Sequence, residues 1–286
     1  MSGHLADLAG RTYGPFHLRS SVDRIDEFIN ATGDDPARWE LHAPPGFAAV
    51  ILFTSAPAFF ADPDAAPYAK TLVHVDQTFE WPRSLPQEED LTVTGAVESV
   101  RHRGEMFFVT FTIRAVDVED HSVLEAKSTF LMTEGALPRE KVAVEDEPSF
   151  DASGENQKPE VELLPKVGDE LTGLLKSASR ADLVRYAGAT RDFNPIHWDH
   201  GAAVEAGLPG VIVHGLLMAS WVTQAASRYV PGPRPLADLR LRFRQALRPG
   251  GQAEVVGEVK GPQALSLSIR SDETVVVSAD ATLAEG

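Results

Sequence analysis

Residues 188–201 read GATRDFNPIHWDHG, and five of them, Asp192, Asn194, His197, Asp199 and His200, carry groups that hold or move protons. Asp192 and His197 are separated by a turn containing Pro195. Proline sets its own φ and disfavours continued helix, so the chain bends here and can present both side chains to one pocket. An imidazole beside a carboxylate is a tunable acid–base pair, because the ring titrates near neutrality and the carboxylate can set its tautomer. Asn194 adds a donor and an acceptor suited to holding a water or a substrate hydroxyl. The plain alternative is a polar turn whose side chains cap neighbouring helices. Asp199 and His200 could join His197 around a metal, but at this spacing on a loop solvated polarity is the default, and no metal is expected.

Downstream, VHGLL places Gly215 at the start of an apolar helical stretch. A helix's first N–H groups lack intrahelical acceptors, a glycine lets a carbonyl approach closely, and the helix dipole favours developing negative charge. That outlines an oxyanion site. With an acid–base pair beside it, the chemistry it suits is proton loss next to a carbonyl. The chain has no cysteine, and no activated serine is evident, so a protein nucleophile is not expected. A wider set that would touch substrate takes in His214, Thr223, Arg240, Arg242 and Arg244. Each has a bland reading too. His214 would brace the turn before Gly215, and Thr223 would satisfy its hydroxyl on the helix backbone. The three arginines alternate along one strand and would form the solvated face of an edge strand, or else a local stripe for phosphates.

These residues need elements to hold them. SRADLVRYAGAT begins with Ser179 as a helix N-cap and sets Leu183, Tyr186 and Ala187 on one face. HGLLMASWVTQAASRYV is apolar or small almost throughout, so it reads as a helix buried on most sides that Pro231 stops. DLRLRFRQAL, QAEVVGEVKG, ALSLSIRS and ETVVVSADATL alternate with period two, as strands do. TLVHVDQTFEW, DLTVTGAVESV, MFFVTFTIRAV and SVLEAKSTFLM repeat that pattern in the first half. One buried helix followed by an antiparallel sheet is α+β architecture.

The chain is duplicated. SSVDRIDEFINATGDDPARWE lies over SASRADLVRYAGATRDFNPIHWD, PPGFAAVILFTSA over LPGVIVHGLLMAS, and a paired-strand segment follows each. Residues 134–162, acidic and poor in large apolar side chains, read as a linker between a first domain at 1–133 and a second at 163–286. The first-half run FAAVILFTSAPAFFA reads as core, with Pro57 shortening or bending its helix so as to leave room for a long chain.

Net charge is −16, from 26 basic and 42 acidic residues, which argues against nucleic acid and anionic lipid as partners. No apolar run is long enough for a membrane span. MSGHLADLAGRTYG lacks a basic start and an apolar run, so a secretory signal is not expected, and the lack of cysteine suits a cytoplasmic location.

YAGATRDFNPIHWD followed by GLPGVIVHGLLMAS resembles the MaoC-like, (R)-specific enoyl-thioester hydratase/dehydratase family of the hot-dog fold, through Asp-x-Asn-Pro-x-His and a downstream Pro-Gly-x-x-x-His-Gly. The resemblance implies a double hot-dog, in which each domain wraps an antiparallel sheet around a long central helix. It implies that Asp192 and His197 handle the water and the C2 proton, Asn194 orients the water, and the N–H of Gly215 stabilises the thioester enolate. The substrate would be an acyl-CoA or acyl-carrier-protein thioester. No cofactor is implied, because the thioester itself acidifies the proton that leaves. The first half resembles the family's degenerate partner domain. Asp34 sits under Asp192, Arg38 takes the place of His197, and Val50 and Ile51 replace His214 and Gly215, so no second active site is expected. A homodimer is compatible with this reading. Its rivals are a hot-dog thioesterase and a non-catalytic acyl-binding or scaffold protein.

Overall fold

A computed structural model describes residues 5–69, 71–137 and 154–285. The first half runs through β1 (Thr12–Arg19), α1 (Val22–Thr32), a 3-10 turn at Pro36–Arg38, α2 (Ala48–Phe60) and a short α3 (Ala66–Ala69). It continues with β2 (Thr71–Glu80), β3 (Asp90–Arg103), β4 (Met106–Val116) and β5 (Ser122–Thr133). The second half repeats the order with β6 (Leu174–Lys176), α4 (Arg180–Thr190), a 3-10 turn at Pro195–His197, a short α5 (His200–Glu205) and α6 (Gly215–Ser227). β7 (Leu236–Phe243), β8 (Ala253–Val259), β9 (Ala264–Ser271) and β10 (Thr274–Leu283) complete it. Each half therefore carries one strand more than periodicity indicates. β1 is interrupted by Gly14-Pro15 and a register shift, and β6 is only three residues long, so neither displays a clear alternation.

The strands form one ten-stranded sheet in the order β1-β3-β4-β5-β2-β7-β10-β9-β8-β6. The order reads alike from both ends, and the halves meet at the antiparallel β2–β7 pair, from Asp76↔Arg242 to Glu80↔Asp238. This is a double hot-dog. It corrects the expectation of an edge strand for the arginines, since β7 lies at the sheet's centre. The physical reason is that two half-sheets remove one exposed edge each by pairing with one another.

α2 and α6 are the two central helices, each 13 residues long. Every residue from Leu216 to Ser227 is buried, as the near-continuous apolar sequence requires. Pro57 does not shorten α2, which continues to Phe60. Proline removes only the bond to the carbonyl four residues earlier, and the surrounding core holds the rest of the helix. No helix among the described residues is long and apolar enough to cross a membrane.

Of the expected linker, residues 138–153 lie outside the described residues. Its last part is bound to the second half. Gly154 N–H donates to Ser177 Oγ at 2.9 Å, Gln157 N–H to Leu175 O at 2.8 Å, and Glu162 N–H to Arg228 O at 3.0 Å. Composition does not reveal such a segment, because hydrogen bonds, including those of Asn156 and Gln157 to Ser177 O and Leu175 N–H, and the ion pair of Arg228 with Glu162 at 3.1 Å attach it.

Candidate active site

α4 is held at its start by a capping box, in which Asp182 N–H donates to Ser179 Oγ at 3.1 Å and Ser179 N–H to Asp182 Oδ2 at 2.9 Å. It ends at Arg191, which adopts a left-handed φ of 71° and turns the chain so that Asp192 faces inward. Asn194 then caps the Pro195–His197 turn, accepting from Ile196 N–H, while its Nδ2 donates to Leu72 O of β2 at 3.3 Å. The asparagine thus ties the loop of one half to a strand of the other. His197, at the end of the turn, is buried, and its Nδ1 lies 2.9 Å from Ile212 O. A carbonyl can only accept, so Nδ1 carries the proton and Nε2 keeps its lone pair.

His214 is the N-cap residue of α6 and is fully buried, with Nε2 donating to the Asp192 carbonyl at 3.2 Å. Its ring stacks on His197 with centroids 3.8 Å apart and packs against Tyr186 at 4.9 Å. Gly215 opens the helix beside it, and a Cβ there would meet the Phe243 ring at 3.3 Å.

Burial dominates the electrostatics. It pushes the Asp192 carboxyl up to about 7, against the lowering effect of the Asn194 N–H. It pushes His197 down to about 4, against its bond to Ile212, and holds His214 well below the ordinary imidazole value, helped by the neighbouring His197. Near neutral pH both rings are uncharged while the carboxyl titrates.

Asp192, His197, Asn194 and Gly215 line one cavity of about 590 Å³. The opposite wall comes from the first half: Phe53, Pro57 and Phe60 of α2, Leu72 and His74 of β2, and Phe130 of β5. Of these wall residues the sequence marks the run that holds Phe53, Pro57 and Phe60, read as core with Pro57 leaving room for a long chain. Leu72 and Phe130 go unmarked, because an apolar side chain facing a cavity looks the same in the chain as one facing the core. His74 carries a different signal, an imidazole in a strand of alternating apolar residues.

Of the wider set, Arg244 lines the cavity and donates from Nε to Ser278 Oγ at 2.9 Å. Arg242 pairs with Asp76 across the central seam at 2.9 Å, and Arg240 lies exposed on the same strand. Thr223 lies outside the cavity wall, its hydroxyl bonded to Ser220 O at 2.8 Å. Asp199 caps α5 by accepting from Ala202 N–H at 2.9 Å, so it is not gathered with His197 and His200 around one point. Donor atoms of Asp192, His197 and His214 do lie within 4.8 Å of one another. Stacked rings direct their in-plane lone pairs side by side rather than onto one ion, and each ring already binds a carbonyl, so the set fits hydrogen bonding better than metal ligation.

The corresponding place in the first half is closed. Gly33 is left-handed at the end of α1, as Arg191 is after α4, and Asp34 is buried like Asp192. Arg38 ends the Pro36–Arg38 turn as His197 ends its own, and its guanidinium donates to Ser227 O and, at 2.8 Å, to Val230 O beyond α6. Gln224 Nε2 reaches Thr32 O at 3.1 Å, and Lys176 Nζ reaches Gly33 O at 3.1 Å. One detail of the expected register changes. α2 starts at Ala48 with Phe47 as its N-cap, so counted from the helix starts Phe47 and Ala48, not Val50 and Ile51, stand where His214 and Gly215 do. The Pro45–Phe47 turn feeds directly into its helix, whereas Val211, Ile212 and Val213 intervene in the second half. The cleft beside Phe47 and Ala48 encloses about 20 Å³.

Comparison with known proteins agrees with both halves. The family model for the MaoC-like domain matches residues 156–281, and that for the FAS1-like dehydratase domain region matches residues 8–126. The mitochondrial 3-hydroxyacyl-[acyl-carrier-protein] dehydratase of Arabidopsis thaliana is 31% identical over 129 residues, which are 42% of this chain and 76% of that protein. The (R)-specific enoyl-CoA hydratase of Rhodospirillum rubrum is 27% identical over 117 residues, 38% of this chain and 81% of that one. A solved MaoC-like dehydratase superposes with a TM-score of 0.82 at 22% identity, covering 99% of this chain and 100% of its own. With the tandem fold and these matches together, the chain belongs to the MaoC-like dehydratase family, as two hot-dog domains in one polypeptide.

Proposed function

We propose that the chain catalyses the reversible addition of water to a trans-2-enoyl thioester, giving a (3R)-hydroxyacyl thioester carried on CoA or an acyl carrier protein. The observation that carries this reading is the convergence of a buried carboxyl, an imidazole with a free Nε2 and a helix-opening glycine on one cavity. In the dehydration direction the Asp192–His197 pair takes the C2 proton and delivers a proton to the C3 hydroxyl. That hydroxyl leaves as water, and the electron pair from C2–H forms the double bond. Hydration reverses each step. Asn194 orients the water, and the Gly215 N–H stabilises the negative charge on the thioester oxygen. Acid–base assistance of this kind contributes roughly 10²–10⁴ in rate. The first domain supplies the far wall for the acyl chain, and its own closed cleft takes no part in chemistry.

The test is an assay of purified protein with crotonyl-CoA and a longer trans-2-enoyl-CoA, following enoyl absorbance and free thiol together. Loss of absorbance without thiol, abolished in Asp192→Asn and His197→Ala, supports the proposal. Release of thiol would make the protein a thioesterase. Binding without either change, on CoA and on carrier-bound substrates, would make it an acyl-binding protein.

A further inference from the structure

His74 has no place in the chemistry above, yet it lines the same cavity. Its ring lies between two aromatic neighbours, Phe130 at 4.8 Å and Phe243 at 5.1 Å, and Phe243 is the ring that faces the open side of Gly215. The imidazole therefore stands on the wall between Phe243, beside the oxyanion glycine, and Phe130, whose ring is 5.4 Å from that of Phe60. The Gln77 side chain and the Asp76 main chain lie beside the ring and oppose the lowering of its pKa by burial, but its Nε2 is buried and makes no hydrogen bond within the protein. Buried polar atoms are nearly always paired, so a lone one on a cavity wall points to a partner that arrives with the ligand. A second feature lies on the same wall. Pro57 has no N–H, which leaves the Phe53 carbonyl without its i+4 helical donor, and both residues line the cavity.

We infer that the cavity selects acyl thioesters bearing a hydroxyl or keto oxygen beyond C3, with His74 as the residue that recognises that oxygen. The inference rests on the proposed binding of an acyl thioester in this cavity and names the class of acyl chain it takes. A purely hydrocarbon chain would bury the imidazole nitrogen unpaired. A hydroxyl satisfies either tautomer of the ring, and a keto group satisfies the one with Nε2 protonated. A site with a buried hydrogen-bonding group discriminates against ligands that lack the matching group, whereas an apolar wall discriminates weakly by polarity.

Binding tests this independently of turnover. Saturated S-acyl pantetheines, the part common to CoA and carrier-protein thioesters, cannot undergo hydration or dehydration at C2–C3. Octanoyl pantetheine and its 5-, 6- and 7-hydroxy counterparts would be titrated calorimetrically into the full chain, alongside His74→Phe and His74→Gln. The expected result is that at least one hydroxylated ligand binds the wild type about tenfold more tightly than octanoyl, the worth of one added hydrogen bond. His74→Phe should abolish that ratio, and His74→Gln should retain part of it. Equal affinities in the wild type, a ratio unchanged in His74→Phe, or no binding by any member overturns the inference. Equal weakening of all four ligands in His74→Phe also overturns it, because it would place the imidazole on the pantetheine arm. Absence of enoyl hydration by the wild type would defeat the proposed activity while leaving the binding ratio intact.

Discussion

The imidazoles of His197 and His214 stack with centroids 3.8 Å apart and planes 23° from parallel, and each ring donates to a main-chain carbonyl. The two bonds cross the site, from His197 to Ile212 and from His214 to Asp192, so the loop and the start of α6 are fixed relative to one another. Two protonated rings could not stack so closely, and burial keeps both neutral.

Gly215→Ala tests the oxyanion position. The new Cβ would meet the Phe243 ring at 3.3 Å and occupy the side from which a thioester carbonyl approaches. Alanine suits a helix better than glycine, so the fold should be retained. The expected outcome is a fall in kcat of about 10²–10³, comparable to loss of an oxyanion donor, with Tm unchanged or raised. Steady-state kinetics with calorimetric melting checks both parts.

Asp192→Asn should stabilise the protein increasingly as pH rises. The carboxyl has a folded pKa of about 7 against an ordinary 3.8, so the native state binds more protons between these values and stability falls as pH rises through them. Below about pH 4 both states are protonated and the variant gains nothing. Near pH 8 the gain should be on the order of a few kcal/mol. His197 has the opposite sign. Its folded pKa of about 4 lies below the ordinary 6.5, so its contribution is lost as pH falls from about 6.5 towards 4. Melting curves of wild type and Asp192→Asn from pH 5 to 8 measure the difference, and a constant offset would contradict it.

Asp34→Asn provides the contrast between the halves. Asp34 is as deeply buried as Asp192, and burial likewise raises its pKa. Its Oδ1 accepts from Asp35 N–H at 2.8 Å, and the charges acting on it are those of Lys176 and Arg38. These are themselves bonded to Gly33 O and Val230 O, whereas Asp192 lines the open cavity. Turnover should remain within about twofold of wild type, the margin left by a change of less than roughly half a kcal/mol. A loss as large as that of Asp192→Asn would mean that the first domain takes part in the reaction.

Ser179→Ala should lower stability by about 1 kcal/mol through loss of the capping box. Because α4 carries Asp192 just beyond its C-terminus, the same variant read by crotonyl-CoA turnover at a temperature well below Tm should retain activity. Denaturant titration gives the stability change.

Much of this molecule is determined by local sequence. The two central helices, the paired strands and the duplication follow from periodicity and from the order of apolar runs, because burying one face of a strand or most of a helix leaves a pattern in the chain. The left-handed turn, Asn194 capping and Pro195 bring Asp192 and His197 together over six residues, so their pairing is local too. What the sequence leaves open is everything that depends on which surfaces meet. The β2–β7 seam joins the halves, turns an expected edge strand into a central one and carries first-domain residues to the second domain's site. The His197–His214 stack and the bond from Asn194 to Leu72 span 17 and 122 positions. The attachment of residues 154–162 rests on hydrogen bonds of its main chain and of Asn156 and Gln157, which composition does not reveal. Whether Phe53, Phe60 or Phe130 faces core or cavity is likewise decided only when two halves with different packing needs close on each other, one filling its cleft with Arg38 and Gln224 and the other leaving it open.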